Sequence, residues 1–210
     1  MKLQAAIDRV TLEQAKDLAC QLDPIVDIIE MGTSLIKDYG FYALNKEALG
    51  LQHAELLLDA KTIDEGQYEF EKGFETGADI LTVMGAASQG TLETTYKVAE
   101  RYGRQMFIDL MEVNDQKLAA IDQFENAIYG LHHAKDDTGA FDAADSVASF
   151  HQKYPQIKRI NVAGGIDLNQ ARKLKAQGIA ETVIVGSKII KAADPAVSYT
   201  HLTLPTICSV

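Results

Sequence analysis

One pattern constrains this chain more than any other. A short aliphatic run is followed by a longer amphipathic stretch, and the pair repeats eight times. The runs are LQAAI (3–7), IVDIIEM (25–31), AELLLDA (54–60), DILTVMG (79–85), QMFIDLM (105–111), NAIYGLH (126–132), RINVAGG (159–165) and TVIVGS (182–187). Strands that read as near-continuous apolar runs belong to parallel sheets covered on both faces. The stretches between them carry helix signals. Thr11 opens TLEQAKDLACQL as an N-cap. In ETGADILTV, RYGRQMFIDL and AQGIAETVIVG a helix ends at glycine and a strand follows. Eight such units of roughly 25 residues predict a small (β/α)8 TIM barrel. The expected domain is residues 1–197, with no interdomain linker. A doubly wound open sheet has the same alternation and is the other architecture to test.

Bulk properties exclude some functions. A formal net charge of −10 argues against nucleic-acid binding, which needs a basic face. The two cysteines, Cys20 and Cys208, have no metal-site spacing and imply no disulfide framework. The start, MKLQAAID, runs straight into a strand, and no apolar run reaches membrane length. The expectation is a cytoplasmic protein with no membrane partner. Residues 198–210, SYTHLTLPTICSV, hold no Asp, Glu, Lys or Arg and no helical period. A closing barrel should place its last helix near there, starting at Asp194-Pro195. The segment reads as an atypical, non-native tail and is given no functional weight.

In a TIM barrel the chemistry sits at the C-terminal ends of the strands. The first run ends at Asp8, the second at Glu30, the third at Asp59 with Lys61 close behind. The fifth contains Asp109, the sixth ends at His132, and the last two end in Gly164-Gly165 and Gly186-Ser187. Ionisable groups after buried apolar runs are costly unless they are paired or used. Four carboxylates at one mouth ask for positive charge, from Lys61 and a metal ion.

Each residue also has a plainer role. Asp8 could cap the following helix, and Asp64 the one after the third strand. Asp59 and Lys61, two apart, share one face of an extended segment and could be a structural ion pair. Asp109 could orient a lysine or touch substrate. Of His132 and His133 only one can face the barrel axis. Glu30 has no capping role at its position. His53 and His151 read as surface residues, and Tyr68, Phe70 and Phe74 as helix packing. The paired glycines carry more: backbone N–H groups after the last two strands form the recurrent barrel phosphate site, and glycine lets phosphate approach closely.

DAKTID (59–64) has the D-x-K-x-x-D spacing of the orotidine 5'-monophosphate decarboxylase superfamily. With LQAAID, DIIEMGT, GADILTV, FIDLM, LHHAKD, VAGGI and VIVGS, the chain resembles the 3-hexulose-6-phosphate synthase family over residues 1 to about 196. The sister 3-keto-L-gulonate-6-phosphate decarboxylases share the fold and most of the site. Thr62 between Lys61 and Asp64 follows the synthase pattern, as does Asp109 in IDLM; the decarboxylases usually carry an alanine before the final Asp and a Glu in the fifth strand. The loop HAKDDTGAF after His132, with Lys135, matches either family loosely.

The resemblance implies an aldehyde-lyase that condenses formaldehyde with D-ribulose 5-phosphate, reversibly, to 3-hexulose 6-phosphate through a 1,2-enediolate. Glu30 and Asp59 are expected to hold Mg2+, with Lys61 beside them. His132 is the expected general base, with His133 as the other candidate. Asp8 is expected to bond substrate hydroxyls, and Gly164, Gly165, Gly186 and Ser187 to hold the phosphate. Asp64 is expected to reach the partner's site in a homodimer. The alternatives are the decarboxylase reaction, a barrel that binds sugar phosphate without catalysis, and an unrelated phosphosugar isomerase or epimerase. Metal-dependent barrels of that last kind usually pair His with Asp at strand ends, a pattern missing here.

Overall fold

The computed structural model describes residues 1–132 and 142–186. Along them run β1 (Lys2–Ile7), α1 (Leu12–Leu22), β2 (Ile28–Met31), α2 (Thr33–Ala43), β3 (Glu55–Thr62), α3 (Gly66–Glu75), β4 (Ile80–Met84), α4 (Gln89–Tyr102), β5 (Gln105–Asp109), α5 (Asp115–Ile121), β6 (Ile128–His132), α6 (Ala143–Lys153), β7 (Ile160–Ala163), α7 (Leu168–Gln177) and β8 (Thr182–Val185). Each strand pairs in parallel with the next, and β8 pairs back onto β1. The sheet is therefore a closed (β/α)8 barrel, and the open-sheet alternative is ruled out. The last helix expected near Asp194-Pro195, His133, Ser187 and residues 198–210 lie outside the described residues.

Local signals act as expected at several joins. Thr11 caps α1, accepting from the Gln14 N–H at 3.2 Å, while Gln14 Oε1 accepts from the Thr11 N–H at 3.0 Å. This reciprocal pair satisfies two backbone donors that the first helical turn cannot. Gly77, Gly103 and Gly178 end their helices with φ of 85°, 61° and 73°.

The structure also corrects expectations. The amphipathic stretch after β2 runs from 34 to 49 in sequence, but α2 is interrupted at Gly40 (φ 73°, ψ 168°) and ends at Ala43. Phe70 and Phe74 are buried and meet edge-on at 5.6 Å. Tyr68, two residues from Phe70, falls off that face and is 61% exposed. His53 is exposed as expected, whereas His151 is half-buried.

The closed barrel makes two cores. The outer one lies between sheet and helices, built from residues such as Ile29, Met31, Leu56, Leu58 and Phe70. The inner one fills the barrel with Ile28, Leu57, Ile80, Phe107, Ile128 and Ile184. Each such side chain contributes about 1.5–3 kcal/mol by leaving water. Side chains from alternate strands stack in layers, as barrel geometry requires. Below the apolar layer, at the N-terminal mouth, Lys2 and Gln105 both donate to Glu55 (2.8 and 3.0 Å), and Arg159 donates to Gln105 and Glu181 (both 2.7 Å). Glycine at 130 on β6 makes room for a neighbour: a Cβ there would lie 2.3 Å from the Phe107 ring. The ring thus uses the space above a position with no side chain.

Candidate active site

Above the apolar layer, a cavity of about 940 Å3 opens at the C-terminal mouth. Asp8, Glu30, Asp59, Lys61, Asp109, His132, Gly164, Gly165 and Gly186 all line it. The structure therefore brings together nearly every candidate residue. Asp64 is the exception. It is exposed, away from this cavity, and accepts a hydrogen bond from the Glu65 N–H at 2.9 Å. It does not cap α3, whose N-cap is Glu65 without a side-chain bond.

The third strand is not the regular extended segment expected from the spacing of Asp59 and Lys61. Between Leu58 and Thr62 its register against β4 shifts. Lys61 sits in the left-handed region at φ 48°, a conformation that non-glycine residues adopt mostly under constraint. Both side chains still face the cavity, with Lys61 Nζ 3.3 Å from Asp59 Oδ2. The bulge, not strict alternation, puts them there. Asp59 also accepts from the hydroxyls of Thr33 (2.5 Å) and Thr82 (2.8 Å).

Asp109 on β5 ties the cluster together. Its Oδ2 accepts from Lys61 Nζ at 2.6 Å and lies 3.2 Å from His132 Nδ1. Its Oδ1 accepts from the Met111 N–H. Burial pushes the Asp109 carboxyl upward, but the bond to His132 and the charge and bond of Lys61 outweigh it and hold it well below the usual carboxylate range. An ionised carboxylate only accepts, so His132 must carry its proton on Nδ1. The other ring nitrogen, Nε2, is then the basic one. Burial opposes the charge on Lys61, yet Asp59 and Asp109 together raise its affinity for the proton.

Glu30 on β2 is held differently. Gln4 Nε2 donates to its Oε2 at 2.6 Å. Burial first, then repulsion from Asp59, pushes its carboxyl up to about 8, against the Gln4 bond and Lys61. Two hard oxygen donors, crowded and repelling, are a donor set that a cation would relieve. Among the described residues no three His, Cys, Asp or Glu gather as ligands. The chain thus offers two carboxylates and leaves other positions to water and substrate, which is how Mg2+ is commonly held. The residues fit that ion.

Asp8 has a capping role, but not for the helix that follows it. Its Oδ1 accepts from the Ser34 hydroxyl and from the Ser34 N–H at 3.2 Å, in the first turn of α2. After β7, Gly164 and Gly165 take φ of 107° and 61°, which turns the backbone along the cavity wall in a way side-chain-bearing residues avoid. Gly186 ends the described part of the adjoining wall. Gln4, Thr33 and Thr82 were not singled out in the sequence. The available signal was a polar residue inside an apolar strand, Gln4 in LQAAI and Thr82 in ILTVM.

This fold recurs in known proteins. The sequence profile of the orotidine 5'-phosphate decarboxylase / HUMPS family matches residues 1–202. The chain is 31% identical to 3-hexulose-6-phosphate synthase of Methylomonas aminofaciens, covering 95% of this chain and 96% of that one. It is 32% identical to the crystal structure of 3-hexulose-6-phosphate synthase from Salmonella typhimurium, with a TM-score of 0.87 and 97% of each chain covered. A structure of 3-keto-L-gulonate-6-phosphate decarboxylase from Vibrio cholerae shares the fold, with a TM-score of 0.81 at 24% identity, over 96% of this chain and 95% of that one. With a matching profile across nearly its whole length and full-length relatives above 30% identity, the chain belongs to the orotidine 5'-phosphate decarboxylase / HUMPS family, a family of lyases.

Proposed function

We propose that the chain is a 3-hexulose-6-phosphate synthase: an aldehyde-lyase joining formaldehyde to D-ribulose 5-phosphate, reversibly. The observation that carries this reading is the shared Asp109 oxygen. It holds Lys61 at 2.6 Å and His132 at 3.2 Å beside the Glu30–Asp59 pair. A base, a cation and two carboxylates then meet over one apolar floor. Relatives of that name at 31–32% identity over nearly the full length favour the synthase over the decarboxylase.

The steps follow from the residues. The substrate phosphate rests on the backbone at Gly164, Gly165 and Gly186, in the loops where such barrels bind phosphate. Ser187, assigned with them, lies outside the described residues. His132 Nε2 takes the proton from C1, next to the C2 ketone, and Asp109 stabilises the imidazolium through Nδ1–H. Negative charge develops on the C2 oxygen and on C1 as the 1,2-enediolate forms, and Lys61 opposes it. C1 then bonds to the formaldehyde carbon, and the new alkoxide takes a proton back from the imidazolium. Asp8, anchored by Ser34, is assigned the substrate hydroxyls. Glu30 and Asp59 would hold Mg2+, which supplies positive charge against the developing oxyanion when bound. Asp64, exposed and outside this cavity, serves the partner's site in a homodimer.

The test is ribulose 5-phosphate consumption with formaldehyde and Mg2+, with and without EDTA. Loss that needs both formaldehyde and metal supports the synthase. No loss, with CO2 released from 3-keto-L-gulonate 6-phosphate, replaces it with the decarboxylase.

A further inference from the structure

We propose that Thr82 is a positioning residue whose hydroxyl clamps the left-handed turn of β3 and so aims Asp59 and Lys61 into the cavity. The proposal rests on the active-site reading above. From Leu58 to Thr62 the third strand advances four residues, while its partner β4 advances two, from Leu81 to Val83. Two residues of β3 are therefore in excess, and the turn that absorbs them includes Lys61 at φ 48°. Such a conformation persists only where its surroundings fix it.

One oxygen does the fixing. The Lys61 N–H donates to Thr82 Oγ1 at 2.8 Å, and Thr82 Oγ1 lies 2.8 Å from Asp59 Oδ1. A hydroxyl has one proton and two lone pairs. The amide can only donate and the ionised carboxylate can only accept, so the hydroxyl proton goes to Asp59. The backbone of Lys61 and the side chain of Asp59 are thus tied to a single buried atom; Thr82 is 3% exposed. Such pairing is not automatic for a threonine inside this barrel. Among the described residues Thr182 Oγ1, on β8, is buried with no hydrogen-bond partner.

The test compares Thr82→Val, which keeps the shape and removes the oxygen, with Thr82→Ser, which keeps the oxygen. Amide hydrogen exchange reads the turn without relying on activity. In Thr82→Val the Lys61 amide should exchange ~10-fold faster or more, the effect of losing one hydrogen bond, while the Leu57 amide is unchanged. For ribulose 5-phosphate condensation, kcat should fall ~10- to 100-fold with KM within about twofold, since misplaced groups lose rate more than binding. Thr82→Ser should match the wild type in both. Unchanged Lys61 exchange in Thr82→Val overturns the clamp. Faster exchange with unchanged kcat overturns the positioning role. If the wild type itself is inactive, the synthase reading fails while the exchange result still decides the clamp. Thr82→Ala replaces the valine variant should that fail to fold.

Discussion

The two mouths of the barrel hold charge in opposite ways. At the N-terminal mouth Lys2 meets Glu55 at 2.8 Å and Arg159 meets Glu181 at 2.7 Å, with Gln105 bridging. Cations and anions are matched, and the network closes the barrel. At the C-terminal mouth Asp8, Asp17, Glu30, Asp59 and Asp109 line the cavity with Arg9, Lys37, Lys61 and His132. Carboxylates there outnumber the cations, and burial makes the excess expensive. The matched end is a seal. The unmatched end is a demand for a ligand, which is how functional sites differ from structural ion pairs.

The sharpest way to break this contrast is to neutralise one charge at each end. Asp59→Asn at the upper mouth should lower kcat for ribulose 5-phosphate condensation by ~10^3-fold, a loss typical of removing a preorganised electrostatic group. Initial rates at saturating Mg2+, with a thermal melt to confirm folding, measure it. His132→Gln should cost ~10^2-fold or more in kcat, by removing the base while leaving the cavity in shape. Arg159→Met at the lower mouth should do the reverse. Activity per folded molecule should stay within about twofold, while stability falls by ~2 kcal/mol because Glu181 and Gln105 lose their donor. If Arg159→Met reduced kcat as much as Asp59→Asn, the two mouths would not be separable.

The ends should also respond to pH with opposite sign. The bond from Arg159 holds the Glu181 carboxyl below its usual range. Its stabilisation is therefore present above the unfolded value and is lost as pH falls through the folded one. The gap between wild type and Arg159→Met, read by urea melts, should narrow in acid. Glu30 is the opposite case. Its folded value is raised to about 8, so its contribution is full below the ordinary glutamate range and is lost as pH rises through about 8. Without metal, Glu30→Gln should be more stable than wild type at pH 9, by on the order of 3–5 kcal/mol, and close to it at pH 5. Mg2+ should remove that advantage by stabilising the wild type alone. Equal pH profiles for Glu30→Gln and wild type in EDTA would count against the strained carboxylate.

Much of the barrel could be read from local chemistry. Apolar runs, the Thr11 cap and the terminal glycines at 77, 103 and 178 act within a few residues of themselves. What escaped depends on contacts across the chain. Whether the stretch after β2 stays helical turns on Gly40, and glycine alone does not say which conformation it takes. The β3 bulge is fixed by Thr82, on the next strand. Asp8 finds its partner in Ser34, 26 residues away, rather than in the helix beside it. Strand-end acids and glycines could be placed at the mouth because the barrel assigns them there. The central role of Asp109 needed the two distances that only folding creates.

Gly130 has a consequence for volume. The Phe107 ring rests where any β-carbon at 130 would lie, 2.3 Å away, and both residues line the cavity. A methyl group added at 130 must displace the ring. Part of the cavity floor is thus set by a single hydrogen atom, because with any larger group at 130 the Phe107 ring, itself part of the lining, has to shift. Position 130 thereby couples the shape of the floor to the wall that holds Lys61 and His132, since Gly130 pairs in register with Asp109.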